Sequence, residues 1–389
     1  MKLKTEIVDL LKQYLDIVNS ERNQQNKKYW AVAREWNRDM WRGTPKPNKE
    51  AVPFLVALDN SLWANVLQVD LRDYYNDPET YLQTQLRAKI YHFNNFKDNT
   101  YFTDELFIWF GVITELSYLE TPITFFPHKE AWIDRNIFRD GIGSLKEPDF
   151  FKSGLMPRIH QFYEVFNEYS RGQLKVMFPD WVRGPFCIAC HLRGMDNFLM
   201  DMLTDPDGAY RLLRSIVDCN KKWNRDRAAY LGESENKGCK LFNDEISCPT
   251  LSPALYRDFI LPYEKELAEC YGGVRYWHSC GDTTNLLEAI AELPNLQMFH
   301  CGPWTSYEKA ARVFGPKGNV ALDVDLNPTL DIIEADKEIM VQKLSDIKEK
   351  CRNVPLTIRA DGFMPNGSPE YILTKIKKWV DAGNLVLGA

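Results

Sequence analysis

The stretch VRYWHSCGDTTNLLEAIAELPNLQMFHC, at residues 274–301, contains one complete strand–helix–strand unit. Two short apolar runs, VRYWHSC and LQMFHC, flank the amphipathic segment NLLEAIAELP. Short apolar runs that alternate with amphipathic helices are typical of parallel α/β folds, because a helix carries the chain back between neighbouring parallel strands. The stretch therefore predicts a parallel sheet covered by helices.

The same alternation extends through the rest of the chain. Further apolar or β-branched runs occur at PFLVALD (53–59), PITFFP (122–127), LKVMFP (174–179), KLFNDE (240–245), NVALDV (319–324) and PLTIRAD (355–361). With the two runs above, this pattern favours a closed (β/α)8 TIM barrel, an α/β fold of eight parallel strands. A doubly wound sheet is the alternative, but no predicted strand is followed by a Gly-x-Gly-x-x-Gly or P-loop motif.

We expect one large domain with an added N-terminal segment. The barrel is predicted to occupy residues 51–389 as a single catalytic domain. Residues 1–50 are predicted to form an N-terminal helical extension that ends at GTPKP (43–47). Residues 60–120 and 128–172 are rich in aromatic and acidic residues without a strand rhythm, and we interpret them as inserted loops that shape the site.

The charge balance excludes some classes of partner. The chain of 389 residues carries 48 Lys and Arg against 54 Asp and Glu, a formal net charge of −6. Nucleic acids and anionic membranes require clustered positive charge, so we expect neither as a partner. No apolar run reaches the ~18 residues of a membrane span, and the N-terminus lacks the apolar block of a signal peptide. The nine cysteines are scattered, unlike a disulfide scaffold, which favours a cytoplasmic location.

The end of the run VRYWHSC carries the strongest candidate site. In a barrel the reactive groups come from the C-terminal ends of strands and the loops that follow. Side chains at positions i and i+2 of a strand point the same way, so the His278 imidazole and the Cys280 thiol can converge on one point. Nitrogen and thiolate sulfur are ligands that zinc prefers. A buried histidine beside a small buried cysteine is the structural alternative.

Acidic side chains end the neighbouring predicted strands. Asp244 and Glu245 close the run KLFNDE, and Asp361 closes PLTIRAD. Because these strand ends share one edge of the barrel, the carboxylates are candidates for further zinc ligands, with solvated acids or helix caps as the alternative. Other candidates are Cys301 as a ligand, Asp323 and Asp325 for orienting a substrate or capping the following segment, and Asp282 for orienting His278 or capping the next helix.

A second motif, CIACH at residues 187–191, matches the Cys-x-x-Cys-His pattern of c-type haem attachment. That attachment takes place outside the cytoplasm, so we set haem aside. We interpret the surrounding segment GPFCIACHLRG (184–194) as a strand leaving the core. A Cys/His nucleophilic pair from these residues is a weaker alternative, because no third orienting group lies nearby in the sequence.

Four segments resemble the uroporphyrinogen decarboxylase superfamily, in particular its zinc- and corrinoid-dependent methyltransferases of the coenzyme M methyltransferase and O-demethylase types. They are HSCGDTTNLLEAI (278–290), GPFCIACHLRGMDNFLMDMLTDPDGAYRLL (184–213), LSPALYRDFILPYEKEL (251–267) and GNVALDVDLNPTL (318–330). The resemblance covers about residues 170–389. It implies a single (β/α)8 barrel, in agreement with the alternating pattern.

The resemblance also implies a zinc site. In these methyltransferases the His-x-Cys pair binds zinc together with a distant cysteine, and that cysteine aligns at or next to Asp361. The expected third ligand is therefore absent, and position makes Glu245 the most attractive replacement, with Asp361 next, as a ligand or a proton-handling group. Replacing a thiolate by a carboxylate leaves zinc a harder Lewis acid, better suited to polarising an oxygen than to activating a thiol.

The implied activity is transfer of a methyl group between a small substrate, such as a methoxylated aromatic compound, and the cobalamin of a partner corrinoid protein. Trp109, Phe110 and Phe125 are candidates for an apolar wall beside such a substrate. Members of the superfamily are often dimers, so a homodimer is the expected assembly. The sequence identifies neither the methyl donor nor the acceptor.

Two other functions stay open. One is a metal-free enzyme on the same barrel, either a uroporphyrinogen decarboxylase-like enzyme or a tetrahydrofolate methyltransferase. Decarboxylases carry an Arg-rich segment near the N-terminus, which YWAVAREWNRDMWRG (29–43) echoes only faintly. The other is a non-catalytic protein that binds a corrinoid or its carrier protein.

Overall fold

The computed structural model describes residues 3–33, 51–317 and 320–388. Its strands are, in chain order, β1 (Phe54–Leu58), β2 (Glu105–Phe107), β3 (Ile123–Thr124), β4 (Trp132–Ile133), β5 (Lys175–Met177), β6 (Cys239–Phe242), β7 (Val274–His278), β8 (Met298–Cys301), β9 (Ala321–Leu326) and β10 (Leu356–Phe363). Six of them form a parallel sheet in the order β1-β10-β9-β8-β7-β6. The fold is therefore α/β with a parallel sheet, as predicted.

Helices connect and cover these strands. They are α1 (Thr5–Asn19), α2 (Glu21–Ala33), α3 (Asn60–Leu67), α4 (Leu71–Asn76), α5 (Pro78–Asn95), α6 (Ile113–Tyr118), α7 (Met156–Ser170), α8 (Pro185–Arg193), α9 (Met195–Thr204), α10 (Pro206–Leu231), α11 (Pro253–Leu255), α12 (Leu261–Tyr271), α13 (Leu287–Ile290), α14 (Tyr307–Phe314), α15 (Lys337–Lys350) and α16 (Pro369–Leu387). Shorter 3-10 or π-helical turns occur at Tyr256–Ile260, Gly315–Lys317 and Pro328–Ile333. No helix within the described ranges is both long and apolar enough to cross a membrane.

The apolar strand pattern explains why the sheet lies in the core. All side chains of β7, β8 and β9 are buried, which is expected for parallel strands covered on both faces. In the pairing of β6 with β7, Phe242 lies opposite His278. The loops that leave these two strands therefore begin side by side at the carboxyl edge of the sheet.

Seven of the predicted strand runs contain strands of the parallel sheets, and one does not. The run at 122–127 instead contributes β3 to a short antiparallel pair with β4. A three-residue strand that the sequence did not reveal, β2, pairs in parallel with β5. An isolated bridge between Arg183 and Phe242 links the segment after β5 to β6. Closure of all these strands into one barrel stays a prediction.

The segment GPFCIACHLRG was predicted as a strand, and this prediction is wrong. The extended chain ends at Gly184, just after the bridge at Arg183, and Pro185 begins α8. Proline suits the first turn of a helix because its fixed φ is already helical and its missing N–H is not needed there. Cys187 and His191 consequently lie one helical turn apart on α8.

Within the predicted N-terminal extension, the described residues form helices α1 and α2. Helix α1 buries one face, and its Tyr14 hydroxyl donates to the carbonyl oxygen of Thr103 at 2.7 Å. The GTPKP segment (43–47) lies outside the described residues. So do residues 34–43 of YWAVAREWNRDMWRG, the segment compared with the Arg-rich segment of decarboxylases. The proposed boundary near residue 50 stays a prediction.

Candidate metal centre

The loop after β6 is anchored by a buried asparagine. Asn243 donates from its backbone N–H to the carbonyl oxygen of His278 at 2.7 Å, and from Nδ2 to Glu264 Oε1 at 2.8 Å. Glu264 also accepts hydrogen bonds from Tyr256 and Trp277. These contacts tie the loop to the end of β7, so the next residue, Asp244, is brought beside His278.

Three metal-ligating side chains meet at this point. Asp244 Oδ1 lies 3.0 Å from His278 Nε2, and Cys280 Sγ lies 3.4 Å from the same nitrogen. Each residue offers one ligand atom, and the three atoms lie within 4.8 Å of one another. The structure thus brings together the two residues that the sequence paired, His278 and Cys280, and adds Asp244 to them.

This donor set fits zinc. Ligand atoms that bind one tetrahedral ion at ~2.0 Å for nitrogen and ~2.3 Å for sulfur are about 3.5 Å apart, close to the nitrogen–sulfur separation here. Three protein ligands leave a fourth position for water or substrate, the arrangement of catalytic zinc sites. Cys280 is exposed, which leaves the site accessible from the solvent.

Packing around His278 fixes the orientation of its ring. The imidazole stacks on that of His300, with centroids 3.9 Å apart and planes inclined by 27°. His300 is held from both sides, because its Nδ1 lies 3.0 Å from the carbonyl oxygen of Ser279 and its Nε2 lies 3.6 Å from Asp325 Oδ2. Burial, followed by the neighbouring His300, lowers the pKa of His278, which favours the neutral imidazole that can bind a metal.

Carboxylates dominate the electrostatics of this edge of the sheet. Burial raises the pKa of Asp59 to about 7 and that of Asp325 to about 6, and in both cases the charge of Asp361 adds to the shift. Although Cys280 as a whole residue is exposed, the surrounding protein partly desolvates its thiol, and this desolvation, together with the charges of Asp244 and Asp361, raises the pKa of Cys280. A bound cation would offset this repulsion and favour the thiolate.

Asp361, the alternative ligand, is held by an arginine. Arg359 Nη1 lies 3.0 Å from Asp361 Oδ2, while Nη2 of the same guanidinium lies 2.8 Å from Asp323 Oδ2. Asp323 is fully buried and also accepts a hydrogen bond from the Tyr276 hydroxyl at 2.7 Å. Asp323 therefore belongs to a buried network with Tyr276 and Arg359. Asp361 pairs with the same arginine at the carboxyl edge of the sheet.

Other residues predicted for the site have different surroundings. The carboxylate of Asp282 accepts a hydrogen bond from the backbone N–H of Thr284 at 2.9 Å within the loop before α13, whose N-terminal capping position is Leu286, so Asp282 does not cap that helix. Cys301 is buried and its thiol contacts the carbonyl oxygen of Thr305. Trp109 is 42% exposed and lines a cavity of about 250 Å³ together with Trp63 and Tyr74, whereas Phe110 is buried in the core.

Glu245, which the sequence favoured as the third ligand, belongs to a neighbouring group. Its Oε1 lies 2.8 Å from His191 Nε2, and the ligand atoms of Cys187, His191 and Glu245 lie within 4.8 Å of one another. Asp244 and Glu245 lie in the turn that follows β6, and there Asp244 meets His278 whereas Glu245 meets His191. Sequence reasoning missed this group because it assigned Cys187 and His191 to a strand, where their spacing of four does not bring them together.

Comparisons with known proteins agree with the resemblance. A family model described as uroporphyrinogen decarboxylase (URO-D) matches residues 63–354. A methylated-thiol–coenzyme M methyltransferase of Methanosarcina mazei is 22% identical over 204 residues, which are 52% of this chain and 45% of that protein. The matched region thus spans less than half of that relative. A solved methyltransferase structure from Methanosarcina mazei has a TM-score of 0.59 at 12% identity, with 87% of this chain and 94% of that chain covered, which shows likeness of fold.

Proposed function

This chain belongs to the uroporphyrinogen decarboxylase family, and on that premise we propose that it is a zinc-dependent methyltransferase acting with a corrinoid protein. The methyl group moves between the corrinoid and a small substrate, for which a methoxylated aromatic compound is the leading candidate. The methyltransferase names of the relatives support the reaction class. We further propose that the strands close into a (β/α)8 barrel and that the protein acts in the cytoplasm as a homodimer.

The observation that carries this proposal is the meeting of Asp244, His278 and Cys280 at the carboxyl edge of the sheet. Zinc held by these three residues would supply a Lewis acid that polarises an oxygen of the substrate. We propose Asp244 as the third ligand in place of Glu245, because Asp244 is the carboxylate grouped with the His-x-Cys pair.

The surrounding residues have supporting tasks in this proposal. Burial and the stacked His300 keep His278 neutral, the stacking also orients its ring, and Arg183 contacts Asp244 and fixes the carboxylate. Asp361, held by Arg359, is the proposed proton-handling group beside the open side of the site. Asp282 supports the turn after Cys280 through its hydrogen bond to Thr284.

Methyl transfer can be tested directly with free cobalamin. The full chain, loaded with zinc, is mixed with cob(I)alamin and a panel of methoxylated aromatic compounds, methanol and methylated thiols, and the visible spectrum is followed. We expect conversion to methylcobalamin with at least one donor, and a loss of more than ~100-fold in rate in the Cys280→Ser variant. Transfer that proceeds equally well in zinc-free Cys280→Ser protein would contradict the zinc-dependent mechanism.

The alternatives give different results in the same set of assays. A decarboxylase would release CO2 from uroporphyrinogen without cobalamin or zinc. A corrinoid-binding protein would bind cobalamin with unchanged affinity in Cys280→Ser protein and show no turnover with any donor. A tetrahydrofolate methyltransferase would transfer the methyl group without zinc.

A further inference from the structure

We infer that Cys187, His191 and Glu245 form a second binding site for a divalent transition metal, separate from the site of Asp244, His278 and Cys280. The site offers a thiol sulfur, an imidazole nitrogen and a carboxylate oxygen, whose atoms lie within 4.8 Å of one another. Zinc binds this combination of donors, and Co2+ can take the place of zinc at such a site.

The local fold presents these donors to one point. Cys187 and His191 are four residues apart on α8, so their side chains lie on the same face of the helix. Glu245 approaches that face from the loop after β6, with Oε1 at 2.8 Å from His191 Nε2. Two ligands one turn apart on a helix and a third from a distant loop make a site whose shape is set by the tertiary fold.

An unpaired buried atom points to a missing partner. Glu245 Oε2 is buried and has no hydrogen-bond partner in the described structure. A buried carboxylate oxygen without a donor is energetically costly, and coordination to a cation removes that cost. The guanidinium of Arg183 contacts Asp244 and donates to Cys187 Sγ at 3.9 Å, and neither contact satisfies Glu245 Oε2.

Two of the three side chains lie near the surface. The side chains of His191 and Glu245 retain 11% and 16% exposure, whereas Cys187 is fully buried behind them. The exposed Trp132 lies edge-on to the His191 ring at 5.3 Å, and Asn136 donates to the His191 carbonyl oxygen at 2.7 Å. A metal would thus enter beside Trp132 and bind with an open position on that side.

Metal stoichiometry tests the inference. The full chain is stripped with a chelator, reloaded with Zn2+ and desalted, and bound zinc is measured for wild type, Cys187→Ser, Cys280→Ser and the double variant. We expect about two equivalents of zinc for wild type, about one for each single variant and none for the double variant. Cys190→Ser is the matched control, because Cys190 is buried on the same helix but lies outside the group, and it should retain both equivalents.

A spectroscopic measurement complements the stoichiometry, because a variant with an altered core could lose metal by misfolding. In Cys280→Ser protein loaded with Co2+, Cys187 should give a thiolate-to-cobalt charge-transfer band that is lost in Cys280→Ser/His191→Ala protein. Stoichiometry unchanged by Cys187→Ser, or a wild type whose single equivalent disappears with Cys280→Ser, would overturn the second site. A single equivalent lost only with Cys187→Ser would support this site and contradict the zinc site of the proposed function.

Discussion

Asp244 Oδ1 lies 3.0 Å from His278 Nε2, and this contact joins the loop after β6 to the last residue of β7. The anchoring of Asn243 to the carbonyl oxygen of His278 explains the contact, since it fixes the chain one residue before Asp244. Glu245, the next residue, is directed towards His191 on α8. Two consecutive carboxylates therefore belong to two distinct groups of His, Cys and acidic side chains.

We predict that Asp244→Asn and Glu245→Gln have different effects on the zinc site of His278. In the Cys187→Ser background, which removes the second site, Asp244→Asn should weaken zinc binding by at least ~10-fold, because an amide is a poorer ligand than a carboxylate. Glu245→Gln makes the same chemical change one residue later and serves as the control, with affinity within about 3-fold of the background. Chelator competition measures both, and equal losses would contradict the assignment of Asp244.

Gly184→Ala should destabilise the protein and disturb the site together. The Gly184 backbone is extended and acceptable to alanine, but an added Cβ would lie 1.8 Å from Asn243 Oδ1. Asn243 is fully buried and bonded to Glu264, so overpacking should lower the free energy of unfolding by about 1–3 kcal/mol. Urea denaturation measures this loss, and zinc affinity should fall because Asp244 follows Asn243. If the Gly184→Ala variant has the stability and zinc affinity of wild type, Asn243 does not anchor the loop.

Arg359→Met should be strongly destabilising. It removes the guanidinium that lies 2.8 Å from Asp323, whose carboxylate is fully buried. Leaving one member of a buried ion pair alone typically costs about 3–5 kcal/mol. Adding Asp323→Asn to Arg359→Met should recover part of the loss measured by urea denaturation, because the buried charge is then gone. A double variant whose cost equals the sum of the single costs would show that the two residues are not coupled.

Asp59→Asn should stabilise the metal-free protein, and more so at higher pH. Burial raises the pKa of Asp59 to about 7 from 3.8, so the folded chain retains a proton that the unfolded chain releases. The stabilisation from this proton is fully present below about pH 4 and is lost as the pH rises through about 7. The asparagine variant avoids the charged form, and we expect a gain of roughly 1–3 kcal/mol at pH 8 and a smaller gain at pH 5.

Two urea titrations, one at each pH, measure this difference. Asp59 caps α3 by position, but its side chain makes no capping hydrogen bond, so asparagine loses no such contact. A gain that is the same at both pH values would assign the effect to packing instead of charge.

The sequence predicted most of the parallel sheet because its strands are apolar on both faces. Strand β7, the VRYWH part of the run VRYWHSC, is fully buried in the structure and is mostly apolar in sequence. The exception was β2, whose three residues, Glu105–Phe107, are too short to stand out among the surrounding aromatic and acidic residues. PITFFP has strand-like composition, but its tertiary surroundings place only Ile123 and Thr124 in a small antiparallel pair.

For the candidate site, sequence reasoning found the residues that depend on local geometry. His278 and Cys280 meet because they are two positions apart at the end of one strand. Which of two consecutive acids meets them depends on hydrogen bonds of Asn243 to distant residues, and composition holds no trace of those contacts. The Gly184-Pro185 pair was the signal that could have revealed the start of α8 and, with it, the spacing of Cys187 and His191.

The ligand set of the zinc site is tested most directly by X-ray absorption at the zinc edge. The sample is the Cys187→Ser chain, loaded with zinc and desalted, so that the only proposed site is that of Asp244, His278 and Cys280. We predict about one bound zinc with a single sulfur neighbour at ~2.3 Å and nitrogen or oxygen neighbours at ~2.0 Å, the sulfur being lost in Cys280→Ser protein. Protein that retains less than about a tenth of an equivalent of zinc, or zinc without a sulfur neighbour, would contradict the account.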